Sequence, residues 1–337
     1  MSEIEALLPG IRGVHEALRD AVLEQCENQT IEALSAVAAN EAGDTLFALD
    51  QVTDTPLIEQ FERLAEDTPF VLVAEGQTEG PLVLPRGTSE HQANWRVLVD
   101  PIDGTRPLMY QKRSAWILTG VAPNHGEATR LSDIEVAVQT ELPTLKQHLC
   151  DQLWAERGGG ARAERVNRFT GQREPLTVRP SRAATIDQGW AMLTRFCPGA
   201  RDVLAALDEE LVHAVLGTPA EGTMPCFDDQ YMSTGGQLYE LMMGHDRFNA
   251  DLRPLVAPYL QARGMPPGQC CHPYDLAGWL IASEAGVLLT DPAGEPLDAP
   301  MDLSSDIAWV GYANDAIRGE VEPALQSALK SRGMLND

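Results

Sequence analysis

Lysine is almost missing from this chain: 337 residues contain three, at 112, 146 and 330. Basic residues of both kinds number 25 against 50 acidic ones, a formal net charge of −25. So acidic a protein does not draw nucleic acid through phosphate contacts, nor adsorb to an anionic membrane. No apolar run approaches the roughly 18–20 residues of a membrane span. The first residues, Met1-Ser2-Glu3-Ile4-Glu5, are acidic where an export or transit signal starts positive. The cysteines at 26, 150, 197, 226, 270 and 271 include no Cys-x-x-Cys pair. A chain of this length buries roughly three quarters of its unfolded surface without covalent help. Reduced thiols in a cytoplasmic protein are therefore expected, with Cys270-Cys271 two ordinary thiols beside a turn.

Against these absences stands an apolar content of 44%, which argues against wholesale disorder. Ile11, Val14, Leu18, Val22 and Leu23, then Ile31, Leu34 and Val37, recur at helical spacing and predict helix over 11–40, ended by a loop at Gly43-Asp44. A second helix is expected over 54–66, with Leu57, Ile58, Phe61 and Leu64 on one face, Asp54 or Thr55 as cap and Pro56 in its first turn. The period then shortens. Residues 70–73, 95–99, 115–121 and 134–138 read as buried strands, and 152–156 with 161–166 as a hairpin. The second half starts again, with a strand within 181–196 and helices over 201–213 and 230–243. A helix over 276–285 ends at Gly286, and a strand over 287–290 stops at Asp291-Pro292-Ala293-Gly294. This alternation predicts an α+β or α/β sandwich in two parts, 1–180 and 181–337.

The strongest local signal is Asp100-Pro101-Ile102-Asp103-Gly104-Thr105, directly after the apolar run Val97-Leu98-Val99. Ligand sites in α/β proteins gather at the carboxyl ends of strands. Pro101 pushes Asp100 towards an extended backbone, and Asp103 is near enough to share a site with it. Gly104 lets the chain bend or approach a ligand closely. Thr105 is placed to open a helix whose N–H groups suit a phosphate. Two carboxylates converging at a strand end need a cation or a proton. Hard oxygen ligands beside phosphate suit Mg²⁺. A bare Asp-x-x-Asp would be an acidic turn; the whole hexapeptide after a buried strand points to a metal site.

The hexapeptide matches the DP(I/L)DGT motif of the inositol monophosphatase family. Three further stretches occur in the family's order: Asp50-Gln51-Val52-Thr53; Glu75 after Val71-Leu72-Val73-Ala74; and Tyr274-Asp275-Leu276-Ala277-Gly278 running on to Glu284-Ala285-Gly286. Over residues 50–286 the chain thus resembles the Mg²⁺-dependent, often lithium-sensitive phosphomonoesterases that include fructose-1,6-bisphosphatase and 3′-phosphoadenosine phosphatases. The resemblance implies a layered αβαβα sandwich and a homodimer acting on a small phosphorylated metabolite. It implies that Glu75, Asp100 and the Ile102 carbonyl hold one Mg²⁺, and that Asp100, Asp103 and Asp275 hold a second. Thr105, hydrogen-bonded to Asp50, would orient and deprotonate the attacking water, with the Glu75 carboxylate as the third catalytic residue. The N–H groups of Gly104 and Thr105 would receive the phosphate. Such a site works by positioning and charge neutralisation. The small residues Ser233-Thr234-Gly235-Gly236 correspond to a phosphate- or sugar-contacting segment, which makes Thr234 and Gly235 substrate contacts.

Several positions depart from the family pattern. Ala74-Glu75-Gly76 stands where a second acid often follows the first. Residues 38–49 hold no Lys or Arg; Glu41 and Asp44 there suit either a third, weakly held Mg²⁺ or a solvated loop. Arg106, Lys112 and Arg113 make a basic stretch that either attracts an anionic substrate or pairs with surface acids. His272, near Asp275, is either a substrate contact or a structural turn residue. Gly268 occupies the position, seven before Asp275, where inositol phosphatases carry a Glu for the inositol hydroxyls. A substrate other than simple myo-inositol monophosphate is therefore expected, of inositol-, sugar- or nucleotide-phosphate type. The alternatives are a sugar bisphosphatase, a 3′(2′)-phosphoadenosine phosphatase, and a non-catalytic regulatory relative that binds metal or an anion. A nucleotide would call for an aromatic or Arg stacking surface near the second half of the site, which the sequence does not place.

Overall fold

The computed structural model of the chain describes residues 3–41, 44–77 and 80–336. Helix α1 (Glu3–Asn28) and a single turn, α2 (Ile31–Leu34), lead into a two-stranded ribbon, β1 (Val37–Glu41) with β2 (Asp44–Phe47). Helix α3 (Gln51–Ala65) follows. An eight-stranded sheet is then laid down by β3 (Phe70–Ala74), β4 (Leu82–Leu84), β5 (Trp95–Asp103), β6 (Ala115–Pro123), β7 (Val136–Leu142), β8 (Leu149–Glu156), β9 (Ala161–Asn167) and β10 (Arg173–Leu176). Its order is β10-β9-β8-β7-β6-β5-β3-β4, and the short helix α4 (Thr105–Met109) joins β5 to β6.

The second half contributes β11 (Gly189–Leu193), α5 (Arg201–Leu216), β12 (Cys226–Phe227), α6 (Thr234–Met242), β13 (Asp246–Asp251), α7 (Ala257–Ala262), α8 (Trp279–Ala285), β14 (Leu288–Thr290), β15 (Trp309–Tyr312) and α9 (Asp315–Ser331). Its five strands run β12-β11-β13-β15-β14.

Side-chain alternation sorts these elements into five layers. In β3, Phe70, Leu72 and Ala74 pack with Ile11, Leu18 and Val22 of α1 and Phe61 of α3, while Val71 and Val73 face the opposite core with Leu238 of α6 and Leu280 of α8. A strand buried on both faces reads as an unbroken apolar run, which is why 70–73 and 95–99 look uniform in the sequence. Beyond the second sheet, Leu193, Phe248 and Tyr312 pack on Leu207 of α5 and Val321 and Leu325 of α9. The result is the expected αβαβα sandwich. No helix among the described residues is long and apolar enough to cross a membrane.

Local expectations shift at several ends. The helix expected over 11–40 stops at Asn28, and 37–41 form a strand paired with 44–47; Val37, at helical spacing, stands 56% exposed. Cross-strand pairing outweighs helical propensity there. Helix α3 begins at Gln51 instead of 54, because Asp50 already has helical backbone angles and Thr53 N–H bonds back to its carbonyl. The side chains of Asp54 and Thr55, read as caps, lie outside the described residues, and so do those of Glu41 and Asp44. The strand expected within 181–196 is confined to Gly189–Leu193, and the helix over 230–243 begins at Thr234. The 276–285 segment opens with a 3₁₀ turn before α8, and Gly286 closes it at φ +94°. The hairpin forms as β8 and β9. All six cysteines are free.

A buried polar contact is among those that tie α1 to the first sheet. The fully buried His15 ring sits between Thr119 Oγ1 at 2.7 Å and Thr140 Oγ1 at 2.9 Å. Burial pulls its pKa down to about 3, so the ring is neutral. The unfolded chain protonates this group first, near 6.5, so its effect is to reduce stability as pH falls from about 6.5 towards 3. His15→Ala should cost about 2–4 kcal/mol at pH 8, from a cavity and the loss of the His15 bonds to Thr119 and Thr140, of which Thr140 keeps its bond from Gln152. Urea midpoints should also show that the variant loses less stability than the parent between pH 6.5 and pH 3.

Candidate metal centre

The DPIDGT segment closes β5, at the edge of the gap between the two halves. β5 lies parallel to β3 and antiparallel to β6. Against β6, Asp100 is opposite Leu118 and Asp103 opposite Trp116, so the register slips between them. In a regular strand, residues three apart point to opposite faces. A bulge adds one residue and restores the same face to both. Pro101, which has no N–H to give the ladder, sits in that bulge. Asp100 and Asp103 are thereby both turned towards the layer containing α6, while Ile102 packs into the α1–α3 core. The Ile102 N–H donates to Asp100 Oδ1 at 3.0 Å.

Each carboxylate is held by its own support. Asp103 accepts the Ser233 hydroxyl at 2.8 Å, the Thr234 N–H at 3.2 Å and the Gly235 N–H at 2.5 Å. A Cβ on Gly235 would lie 2.9 Å from Asp103 Oδ2 and 2.7 Å from Leu118 Cδ2, so only glycine admits that approach. Asp275, in the turn before α8, accepts the His272 N–H at 2.6 Å. Gly104 has φ +98°, and a Cβ there would meet Ser233 Cβ at 3.1 Å and the Met232 carbonyl at 3.3 Å. Thr105 donates its hydroxyl to Asp50 Oδ1 at 2.6 Å, with the Ile102 carbonyl at 3.0 Å as the alternative acceptor. The second Asp50 oxygen accepts the Phe47 N–H at 2.7 Å.

Oxygens of Asp100, Asp103 and Asp275 all lie within 4.8 Å of one another. Crowding three acids away from water disfavours their ionisation. Burial, then the charges of Glu75, Asp103 and Asp275, push the Asp100 pKa well above its usual range. Burial lifts Asp103 to about 6 against the opposing pull of Ser233, Gly235, Thr234 and Arg253. Burial and the Asp103 charge lift Asp275 to about 7. Glu75 lines the same cleft, close enough for its charge to act on Asp100. This all-oxygen set, costly when ionised alone, fits a hard divalent cation. The Asp cluster can therefore bind a metal.

The acids open into a cleft that is also lined by Asp50, Glu75, Ile102, Gly104, Thr105 and Thr234. The sequence-selected site residues are thus brought together, with two qualifications. The Gly235 N–H is spent on Asp103. His272 does not line the cleft: its ring stacks on Tyr274 with centroids 5.2 Å apart. The basic stretch divides, because Arg106 lines the cleft while Arg113 pairs with Asp229 and Glu240 and covers the Tyr231 ring. Phe196, Met232, Arg253 and Gln269 also line it, and sequence reasoning did not pick them out. Their one visible signal was position, since Phe196 and Arg253 each follow closely on a strand end.

The sequence matches no family profile and no curated protein. Solved structures share its shape. Fructose-1,6-bisphosphatase from Leishmania major superposes with a TM-score of 0.67 at 13% identity, over 97% of this chain and 94% of that one. The extragenic suppressor protein SuhB from Bartonella henselae gives 0.64 at 15% identity, over 95% and 98%. Inositol monophosphatase II from Staphylococcus aureus gives 0.60 at 14%, over 97% of each. The chain has the fold of the inositol monophosphatase and fructose-1,6-bisphosphatase superfamily.

Proposed function

We propose that this chain is a Mg²⁺-dependent phosphatase that hydrolyses a small phosphomonoester. The observation that carries this reading is the convergence of buried, mutually repelling carboxylates beside a Thr–Asp hydrogen-bonded pair, lining one cleft. Asp100, Asp103 and Asp275 would hold one Mg²⁺, and Glu75 with Asp100 and the Ile102 carbonyl a second. When bound, these cations would neutralise phosphate charge and acidify a water.

The chain's own groups do the rest. Asp50, fixed by the Phe47 N–H, takes the Thr105 hydroxyl proton, and Thr105 Oγ1 then accepts a proton from the attacking water. The pair is already hydrogen-bonded without substrate, Asp50 from the turn before α3 and Thr105 from the start of α4, which supports this relay. Gly104 keeps the backbone low enough for a phosphate to reach the N–H groups of 104 and 105. Positioning and electrostatics supply most of the rate in phosphoryl transfer.

The test is phosphate release from inositol phosphates, sugar mono- and bisphosphates, glycerol phosphates and nucleotides, with and without Mg²⁺. Release that needs Mg²⁺ is the expected outcome. Folded, metal-loaded protein that releases phosphate from none of them overturns the reading in favour of a binding protein.

A further inference from the structure

We propose that Phe196, braced by Arg253, is a stacking platform for a planar aromatic group, so that the cleft takes a nucleotide-type phosphomonoester. This rests on the reading of the cleft as a phosphomonoesterase site. β11 and β13 are parallel neighbours, with Leu193 opposite Ala250. Phe196 and Arg253 leave the carboxyl ends of these strands, where α/β folds gather ligand contacts. Both line the cleft that holds Asp103 and Asp275. Phe196 is half-buried, and the Arg253 guanidinium carbon lies 4.7 Å from its ring centroid.

Arg253 is committed to bracing. Its Nε and Nη2 bond to Asp251 at 2.9 and 2.5 Å, and its Nη1 donates to the Gln269 carbonyl at 3.0 Å. The side chain is 10% exposed and Asp251 is 1% exposed. A guanidinium paired in this way fixes a wall and does not offer a hook for a second phosphate. Arg106, the other cation among the described lining residues, follows directly on Thr105, at the end where the scissile phosphate would lie. Phe196, Met232 and the Cys270 thiol are also poor partners for the hydroxyls of a bare polyol. A base has a π-face that an aromatic ring can hold whatever its hydrogen-bonding pattern.

The test compares 5′-, 3′- and 2′-AMP with ribose 5-phosphate, by calorimetric binding in Mg²⁺ and by phosphate release. The parent protein should prefer at least one nucleotide by roughly tenfold or more. Phe196→Ala and the bulk-conserving Phe196→Leu should erase that preference by raising the nucleotide's Kd and KM, leaving ribose 5-phosphate within about twofold. Phe196→Tyr should keep it. Equal affinity for ribose 5-phosphate and every nucleotide, or an equal loss of both in the Leu variant, overturns the platform. Absent metal-dependent release from every compound would instead sink the phosphatase reading, and the binding comparison would still decide the platform.

Discussion

Asp100→Asn should leave a protein that is folded, more stable without metal, and inactive. Asp100 is held well above the usual carboxylate range by burial and by the charges of Glu75, Asp103 and Asp275. Its pKa is raised on folding, so the native state binds more protons than the unfolded chain above the ordinary value of 3.8. Stability is therefore lost as pH rises through that value and beyond it. Asn removes the ionisation without removing the shape, and it keeps an acceptor for the Ile102 N–H.

The metal-free variant should accordingly melt higher than the parent at pH 8, with the gap shrinking towards pH 4. Mg²⁺ should act the other way. A ligand at a hundred times its Kd stabilises the native state by about 2.7 kcal/mol, so the parent should gain thermal stability with Mg²⁺ at pH 8. It should gain far less at pH 5, where protons compete for the same oxygens. The Asn variant should gain little at either pH, and its turnover should fall by roughly 10³-fold or more. Thermal melts with and without Mg²⁺ across pH, beside a phosphate-release assay, check all of this. An active Asn variant, or a parent indifferent to Mg²⁺, would remove the metal cluster from the mechanism.

Thr105→Val should lower kcat by roughly 10²–10⁴-fold, the range for removing a positioned proton-transfer group. The hydroxyl touches Asp50 at 2.6 Å, and the Asp50 carboxylate is fixed by Phe47. Valine keeps the branched shape at the start of α4 but cannot relay a proton. KM should change little, because the loss falls on the reacting state and not on substrate binding. The Mg²⁺-induced thermal shift should persist, since Thr105 contributes no carboxylate to the cluster. Thr105→Ser should recover most of the rate by restoring the oxygen. A Val variant with a parental kcat, or a Ser variant as slow as Val, would show that this hydroxyl only packs the turn.

Much of the site was legible because its chemistry is local. Asp100 to Thr105 are consecutive, their strand is uniformly apolar, and Glu75 ends the next strand in space. Strand and helix type were also legible wherever burial follows a clear period, as in α1, β3 and β5. The ends were harder to read. Residues 37–41 carry a helical spacing that pairing with 44–47 overrides, and the start of α3 depends on the turn around Asp50.

The element types and the acidic segment 100–105 were thus determined by the sequence alone, since apolar period and motif spacing are properties of neighbouring residues. The layer order and the ligand roles of Glu75 and Asp275 came instead from the family resemblance. Only the tertiary structure decided which way those residues point and what meets them. The bulge at Pro101 turns Asp100 and Asp103 to one side, a matter of register against β6. Asp275 arrives from a distant segment, and the first residues of α6 spend the Gly235 N–H on Asp103 instead of on a substrate. Phe196 and Arg253 meet because β11 and β13 run parallel side by side. Contacts of this kind join residues tens to hundreds of positions apart, and no local pattern encodes them.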